Sequence, residues 1–368
     1  WCHYRAACRG SVVAACKREA EIMNRRQMLG AASAMLALGP QALAQAKVQA
    51  DGKLVLLPPR LKAGDTVGLI EPASATWEPF AIQLIEEALG ALGLKSKRAH
   101  NILDRNGYFA GDDKARAGGV NQMFADPEVA AIMSVRGGWG TARILPHLDF
   151  DLIGQNPKAL IGYSDITALH LSIHAKTGMV TFHGPVGISA WGKRSLETFK
   201  PLLFDAATPD YINPVAEEDR LAQRNWRTQT ITPGKARGRL LGGNLTVMTA
   251  LVGTPYLPSF DGAILFFEDI DEAVYRVDRM LTQLGQAGIL GRVAGVIVGN
   301  CTDCSQGSSI GGFTLNEILT HHLQPLGVPA YSGAFIGHLT DQFTVPEGGL
   351  VEMDAEAGTF RLLEPVVR

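Results

Sequence analysis

Cysteine is scarce: the chain of 368 residues holds five, and three of them, Cys2, Cys8 and Cys16, fall within the first 22 positions. Only Cys301 and Cys304 remain in the body of the protein. That excludes a disulfide framework. The segment Cys301-Thr302-Asp303-Cys304 has the spacing of a redox pair, but no second pair completes a zinc site, and it reads as incidental loop cysteines with at most one disulfide. Positive charge is also thin. The formal net charge is −2, and setting aside residues 1–46, with six Lys/Arg against Glu19 and Glu21, leaves 28 basic and 34 acidic residues, a net −6. A moderately acidic body without a basic run lacks the footprint of a nucleic-acid binder, so the expected partners are peptides or small molecules. The apolar run from Gly30 to Ala46 is broken by Pro40 and falls short of the roughly 20 residues of a membrane span. No His-Glu-x-x-His or clustered His/Cys set points to a metal, and no repeat of fixed period points to a solenoid. The expectation is no cofactor and no metal.

What is present fits an α/β enzyme of more than one domain. With 46% hydrophobic and 19% charged residues the chain can bury a sizeable core, and its length exceeds what one core usually supports. The first Met is Met23, followed by Arg25-Arg26 and a short apolar stretch ending in Ala42-Leu43-Ala44 and Ala44-Gln45-Ala46. Residues 1–22 read as translated upstream sequence and 23–46 as a signal peptide of the twin-arginine type, with an ordinary secretory signal as the alternative. The mature protein is then expected to be periplasmic, with no stable membrane insertion after cleavage.

From Asp65 to Pro185, short apolar runs (Val67–Ile70, Ala130–Val135, Leu160–Tyr163) alternate with helical stretches (Pro79–Leu92, Ile166–Lys176). That alternation predicts right-handed βαβ units and a mainly parallel sheet. Periodicity fades over 186–233, which reads as a linker with some local helix. It resumes from Gly234 with Arg239–Leu241, Leu245–Val252, Ala263–Phe267, Glu272–Leu284, Ala294–Val298 and Leu315–Leu323, and a tail around Gly348-Gly349 that favours a β hairpin. The expected fold class is α/β with two domains: a flavodoxin-like parallel sheet with helices over 60–185, and an α/β domain with additional β structure over 234–368.

Four segments carry chemistry. In Leu160-Ile161-Gly162-Tyr163-Ser164-Asp165 an apolar strand runs through Gly and Ser into a helix. A serine on such a turn either exposes a nucleophilic hydroxyl, with the following N–H donating to an oxyanion, or simply caps the helix. Ile166 stands where the hydrolase elbow has glycine. The run Val135-Arg136-Gly137-Gly138-Trp139-Gly140-Thr141-Ala142-Arg143 ends another strand with three glycines that let backbone amides approach a ligand, or form an ordinary tight turn. Its order matches neither a phosphate loop nor a dinucleotide fingerprint. Glu268 closes the apolar run Leu265-Phe266-Phe267, either beside a histidine or as a helix N-terminal acid. His338, in Gly337-His338-Leu339-Thr340-Asp341, is the histidine best placed in a loop, whereas His170/His174 and His321/His322 read as structural or surface pairs.

In this order the stretches "RGGWGTARILPHLDF", "IGYSDITALH", "FHGPV", "LLGGNLTVMTALVGTPYLP", "ILFFEDIDEAVYRVDRMLTQL" and "GHLTDQFTVPEGG" resemble the LD-carboxypeptidases, or muramoyltetrapeptide carboxypeptidases, and the related microcin-immunity peptidases. The resemblance covers most of the chain after the leader. It implies a serine hydrolase with Ser164 as nucleophile, His338 as base and Glu268 orienting the base. It further implies an oxyanion hole from the Asp165 N–H and an amide of Gly137 or Gly138, and substrate contacts from Arg136, Asn244 and His183. Arg136 or Arg143 beside the glycine turn would take a terminal carboxylate, with a surface ion pair as the plain alternative for each. Asn244 could equally cap its helix. The implied substrate is a murein peptide cut before a terminal D-amino acid, and the implied assembly is a homodimer. An amidase of aminoacyl or peptidyl nucleotides and a muropeptide-binding protein without catalysis are the competing readings.

Overall fold

The computed structural model describes residues 46–48, 54–305 and 312–368. The stretches read as upstream sequence and leader lie outside the described residues, save for the backbone of Ala46. A short antiparallel pair, β1 (Ala46–Val48) and β2 (Leu54–Leu56), precedes the first sheet.

That sheet is built from β3 (Thr66–Ile70), α1 (Pro79–Ala91), β4 (Lys95–Arg98), α2 (Asp113–Ala125), β5 (Val129–Ser134), the short α3 (Thr141–Ile144) and α4 (Phe150–Gln155), β6 (Ala159–Gly162), α5 (Thr167–Thr177) and β7 (Thr181–His183). Its parallel strands lie in the order β4-β3-β5-β6-β7. In chain order this is the flavodoxin-like 2-1-3-4-5, whose order reverses between β3 and β5. Central strands covered on both faces read as continuous apolar runs, as β3, β5 and β6 do. The helices carry ordinary signals: Pro79 opens α1, Asp112 accepts from Ala115 N to cap α2, and left-handed Gly178 closes α5.

The next stretch, read as a linker, holds α6 (Lys193–Leu203), β8 (Asp210–Tyr211) and β9 (Gln229–Thr232). A second sheet follows from β10 (Lys235–Asn244), α7 (Leu245–Ala250), β11 (Ile264–Ile270), α8 (Val274–Gln286), β12 (Gly295–Thr302), α9 (Leu315–Leu323) and β13 (Ala330–Ser332), then β14 (Val345–Glu347), β15 (Leu350–Asp354) and β16 (Thr359–Leu362). Eight strands order as β8-β16-β15-β10-β11-β12-β13-β9, with β10 to β13 parallel and the outer strands antiparallel. The closing hairpin of the sequence reading is β15–β16.

Two corrections follow. Residues 186–233 are not a plain tether, because β8 and β9 form both edges of the second sheet. Nor does the chain after 234 stay in that sheet: β14 crosses over and pairs antiparallel with β7, Val345 opposite His183. The physical reason is edge protection, since β7 would otherwise offer an unpaired row of backbone groups. The crossover also carries residues 333–344, with His338, from one sheet to the other.

Candidate active site

Ser164 begins a single 3-10 turn between β6 and α5 with φ 64°, a left-handed conformation uncommon for a residue with a side chain. Its hydroxyl caps no helix: α5 starts after Ile166 without a side-chain cap. The N-cap reading therefore gives way, and Ser164 Oγ lies 3.0 Å from His338 Nε2. Room for the turn comes from the strand side. A Cβ on Gly162 would sit 3.0 Å from Ile166, so Ile166 occupies the elbow's usual glycine position because the small residue stands four places earlier. His170 Nε2 bonds Gly162 O at 2.8 Å, a structural role consistent with its full burial.

His338 Nδ1 lies 2.7 Å from Glu268 Oε2. Glu268 sits at a bulge between Phe267 and Asp269, its carboxylate wholly buried and its Oε1 without a partner. Space for it is made by glycines: a Cβ at Gly337 (φ 120°) would fall 2.8 Å from Glu268 Oε2, and one at Gly299 3.1 Å from its Cβ. Burial works against a charged His338 ring, but the Glu268 hydrogen bond and the negative charges of Glu268 and Asp269 outweigh it and hold the ring above its ordinary value.

The neighbouring groups are braces. Asp269 accepts from Asn244 Nδ2 (3.0 Å), Thr246 N and Thr246 Oγ1 (both 2.9 Å), and burial pushes its carboxyl up to about 6. Thr302 Oγ1 donates to His338 O at 3.0 Å. Asp341 accepts from Arg194 N (2.8 Å) and Ser195 N (2.7 Å) at the N-terminus of α6, so the former linker anchors the histidine loop. Of these braces only Asn244 was singled out from sequence, as a substrate contact or helix cap. Asp341 stood inside the quoted motif, and its partners 146 and 147 residues away left no local signal.

The glycine turn after β5 meets the serine turn directly. A Cβ on Gly137 would lie 2.9 Å from Ser164 Cβ and 3.5 Å from Asp165 N, whereas one on Gly138 would strike Ser74 Oγ at 2.2 Å. Gly137, not Gly138, therefore faces the serine. The Asp165 carboxylate turns away from it and accepts from Thr141 N at 2.8 Å, pinning α3 to the serine turn. Arg116, fully buried and absent from the sequence reading, supports the same loop through Pro72 O (2.5 Å) and Gly140 O (2.9 Å). Half-exposed Trp139, in the glycine turn, and Tyr108 have ring centroids 5.7 Å apart.

The remaining candidates separate. Arg136, half-buried, donates to Ala75 O at 3.2 Å and keeps its Nε without a partner. Arg143 is committed to a surface ion pair with Asp113 at 3.0 Å, the plain alternative foreseen for it. Asn244 accepts from Val247 N at 3.1 Å, so it caps α7 while bracing Asp269, and it is 4% exposed. His183 is a correction: its ring is fully buried, edge-on to Phe266 at 5.3 Å, with both nitrogens unpartnered and its charged form disfavoured by burial. It packs as an aromatic among Tyr163, His170 and Phe266, because β7 is buried on both faces, Thr181 and Phe182 as fully as His183. Among the described residues no group of three or more His, Cys, Asp or Glu could hold a metal ion, and no helix is long and apolar enough to cross a membrane. A concavity of about 890 Å³ beside His174, Arg237 and Pro258 contains none of the three reactive residues, so size does not locate the site.

Comparison with known proteins identifies the family. Residues 67–184 match the model of the LD-carboxypeptidase N-terminal domain and residues 237–353 that of the LD-carboxypeptidase C-terminal domain. The chain is 37% identical to the "Probable murein peptide carboxypeptidase" of Bacillus subtilis over 82% of its own length and 92% of that protein's. Among solved structures it resembles the microcin C7 self-immunity protein MccF in complex with aspartyl sulfamoyl adenosine (TM-score 0.76, 29% identity, 85% of this chain and 100% of that one). It also resembles a muramoyltetrapeptide carboxypeptidase from Oxalobacter formigenes (TM-score 0.68, 28% identity, 81% and 97%). The chain belongs to the LD-carboxypeptidase family of peptidases.

Proposed function

We propose that this protein is a serine carboxypeptidase that hydrolyses the LD-peptide bond before a terminal D-alanine in murein tetrapeptides. The observation that carries the reading is the continuous relay Ser164 Oγ, His338, Glu268, with links of 3.0 and 2.7 Å. His338 Nε2 takes the hydroxyl proton as Ser164 attacks the scissile carbonyl, and Glu268 holds the other ring nitrogen protonated and stabilises the imidazolium. The Asp165 N–H and the Gly137 end of the glycine turn receive the oxyanion. His338 then protonates the leaving amine, and water, activated by the same ring, hydrolyses the acyl-enzyme. Arg136 is the cation we assign to the terminal carboxylate. A pure binding protein has no need of this buried relay.

The resemblance to MccF bound to an aspartyl sulfamoyl nucleotide supports a second reading, cleavage of an aminoacyl-nucleotide amide by the same residues. Purified protein offered a tetrapeptide ending in D-Ala, its L-Ala epimer and aspartyl sulfamoyl adenosine decides between them. Release of D-alanine alone is expected; hydrolysis of only the nucleotide conjugate establishes the second reading instead. We further propose export through the leader over residues 23–46 and a homodimeric assembly. Cell fractionation of the wild type and an Arg25→Lys/Arg26→Lys variant, with sedimentation of the mature protein, tests both.

A further inference from the structure

Cys301 and Cys304 stand at the end of β12 with their sulfurs 2.8 Å apart. A disulfide needs about 2.05 Å, so closure moves the sulfurs by less than about 1 Å. The residue between them on one side, Thr302, holds the His338 carbonyl at 3.0 Å. On the neighbouring strand, Cys301 pairs in register with Asp269, the residue after Glu268. The turn is tied at its outer end as well: Asp271 N donates to Thr302 O (2.9 Å) and Ser305 N to Glu272 O (3.2 Å). Asp303 at its apex adopts φ 55°. Both cysteines are partly exposed, and Cys301 also packs on the core.

We propose that Cys301 and Cys304 form a reversible disulfide which fixes the turn supporting His338, so that the redox state of the pair sets turnover at the site. This rests on the assignment of Ser164, His338 and Glu268 given above. Cys301 packs against the core, where burial disfavours its thiolate, so Cys304 is the attacking thiolate. It attacks a small-molecule disulfide such as oxidised glutathione, one thiolate leaves, and a mixed disulfide remains. Cys301 then attacks the Cys304 sulfur and expels the second thiol. Two protein thiols are oxidised, one external disulfide is reduced to two thiols, and the two protons end on those thiols. Closed, the turn keeps Thr302 and the His338 carbonyl in one place. Reduced, it regains freedom, and a base displaced by a fraction of an ångström loses alignment with the hydroxyl.

The test equilibrates the full chain with oxidised or reduced glutathione and analyses the proteolytic peptide carrying both cysteines. That peptide should be about two mass units lighter after oxidation, the loss of two hydrogens. Reduction should lower kcat about threefold to tenfold with KM unchanged, and slow labelling of Ser164 by a fluorophosphonate to the same extent. A Cys301→Ser/Cys304→Ser variant should stay at the reduced level under either poise. A pair that remains reduced in oxidised glutathione, or two redox forms with equal kcat, overturns the proposal, and both readings use the wild type alone. If the disulfide forms but neither form hydrolyses peptide or labels, the Ser164 assignment fails; the redox pair then stands only if reduction shifts the His338 ring resonances.

Discussion

Ser164 and His338 reach one point from two sheets, and they are held there differently. The serine leaves β6 on a backbone turn at φ 64°, with Gly137 and Gly162 clearing space around it. The histidine sits on a crossover fixed by side chains: Glu268 on the ring, Thr302 on its carbonyl, Asp341 clamped to the start of α6. The serine arm depends on main-chain conformation and on absent side chains, the histidine arm on buried polar groups. Substitutions should therefore fail in different ways, by steric displacement on one arm and by altered proton affinity on the other.

The largest effect tests the shared premise. Ser164→Ala should keep the fold, since Ala tolerates the same space, and lower kcat by about four orders of magnitude or more, as removal of a triad nucleophile does. Circular dichroism and turnover on the D-Ala tetrapeptide check it. Retention of more than about a tenth of the activity would show that the serine is not the nucleophile.

Glu268→Gln breaks the histidine arm by charge alone. We expect kcat to fall by about two to four orders of magnitude, because the ring loses its orienting carboxylate. The pH profile carries the sharper reading. With Glu268 in place the ring is held above its ordinary 6.5, so kcat/KM should rise with pH through an inflection above that value and move to lower pH in the variant. The stability contribution runs the other way: a histidine whose folded value is raised adds stability that is fully present below its unfolded value and is lost as pH rises through the folded one. Activity and this part of stability should thus trade places across the same window. An inflection that does not move in the variant would detach Glu268 from the ring.

Gly137→Ala breaks the serine arm by space alone. The new methyl would lie 2.9 Å from Ser164 Cβ, closer than real contacts allow, and a tight 3.1 Å from its Oγ. Either the turn or the serine must shift by a few tenths of an ångström, and kcat should drop about tenfold to a hundredfold with the pH inflection unchanged. A shifted inflection would show that the two arms are not separable in this way.

Much of the site could be read from the chain because each reactive residue follows an apolar run: Ile161 before Ser164, Phe267 before Glu268, Ile132 before the glycine turn. Parallel strands buried on both faces announce themselves, and their C-terminal ends are where such residues are presented. The parts that stayed hidden lack that signal. Edge strand β4 reads Lys-Ser-Lys-Arg, and α2 contains Gly118-Gly119 with no apolar periodicity. Asp341 reaching α6 and β14 reaching β7 are long-range pairings that no local pattern encodes. His183 misled for the opposite reason: it sits in a motif-like stretch, but its strand is buried on both faces.

The smallest expected effect separates two arginines that look alike in sequence. Arg143 pairs with Asp113 at 3.0 Å on the surface, its side chain 51% exposed. Such pairs hold little once solvent and salt screen them, so Arg143→Ala should leave kcat and the melting temperature close to wild type and change KM by less than about twofold. Arg136 is half-buried one residue before the glycine turn and donates to Ala75 O. A guanidinium is the side chain suited to a carboxylate, which it can grip through two parallel N–H donors. Arg136→Ala should therefore raise KM about tenfold or more for the free tetrapeptide, and Arg136→Lys should recover only part of that loss because an ammonium has no fork. The control is a tetrapeptide with an amidated C-terminus, which lacks the charge Arg136 would meet. On that substrate the wild type and Arg136→Ala should converge. Equal discrimination by both proteins would mean that Arg136 serves the wall through Ala75 and that another group receives the carboxylate.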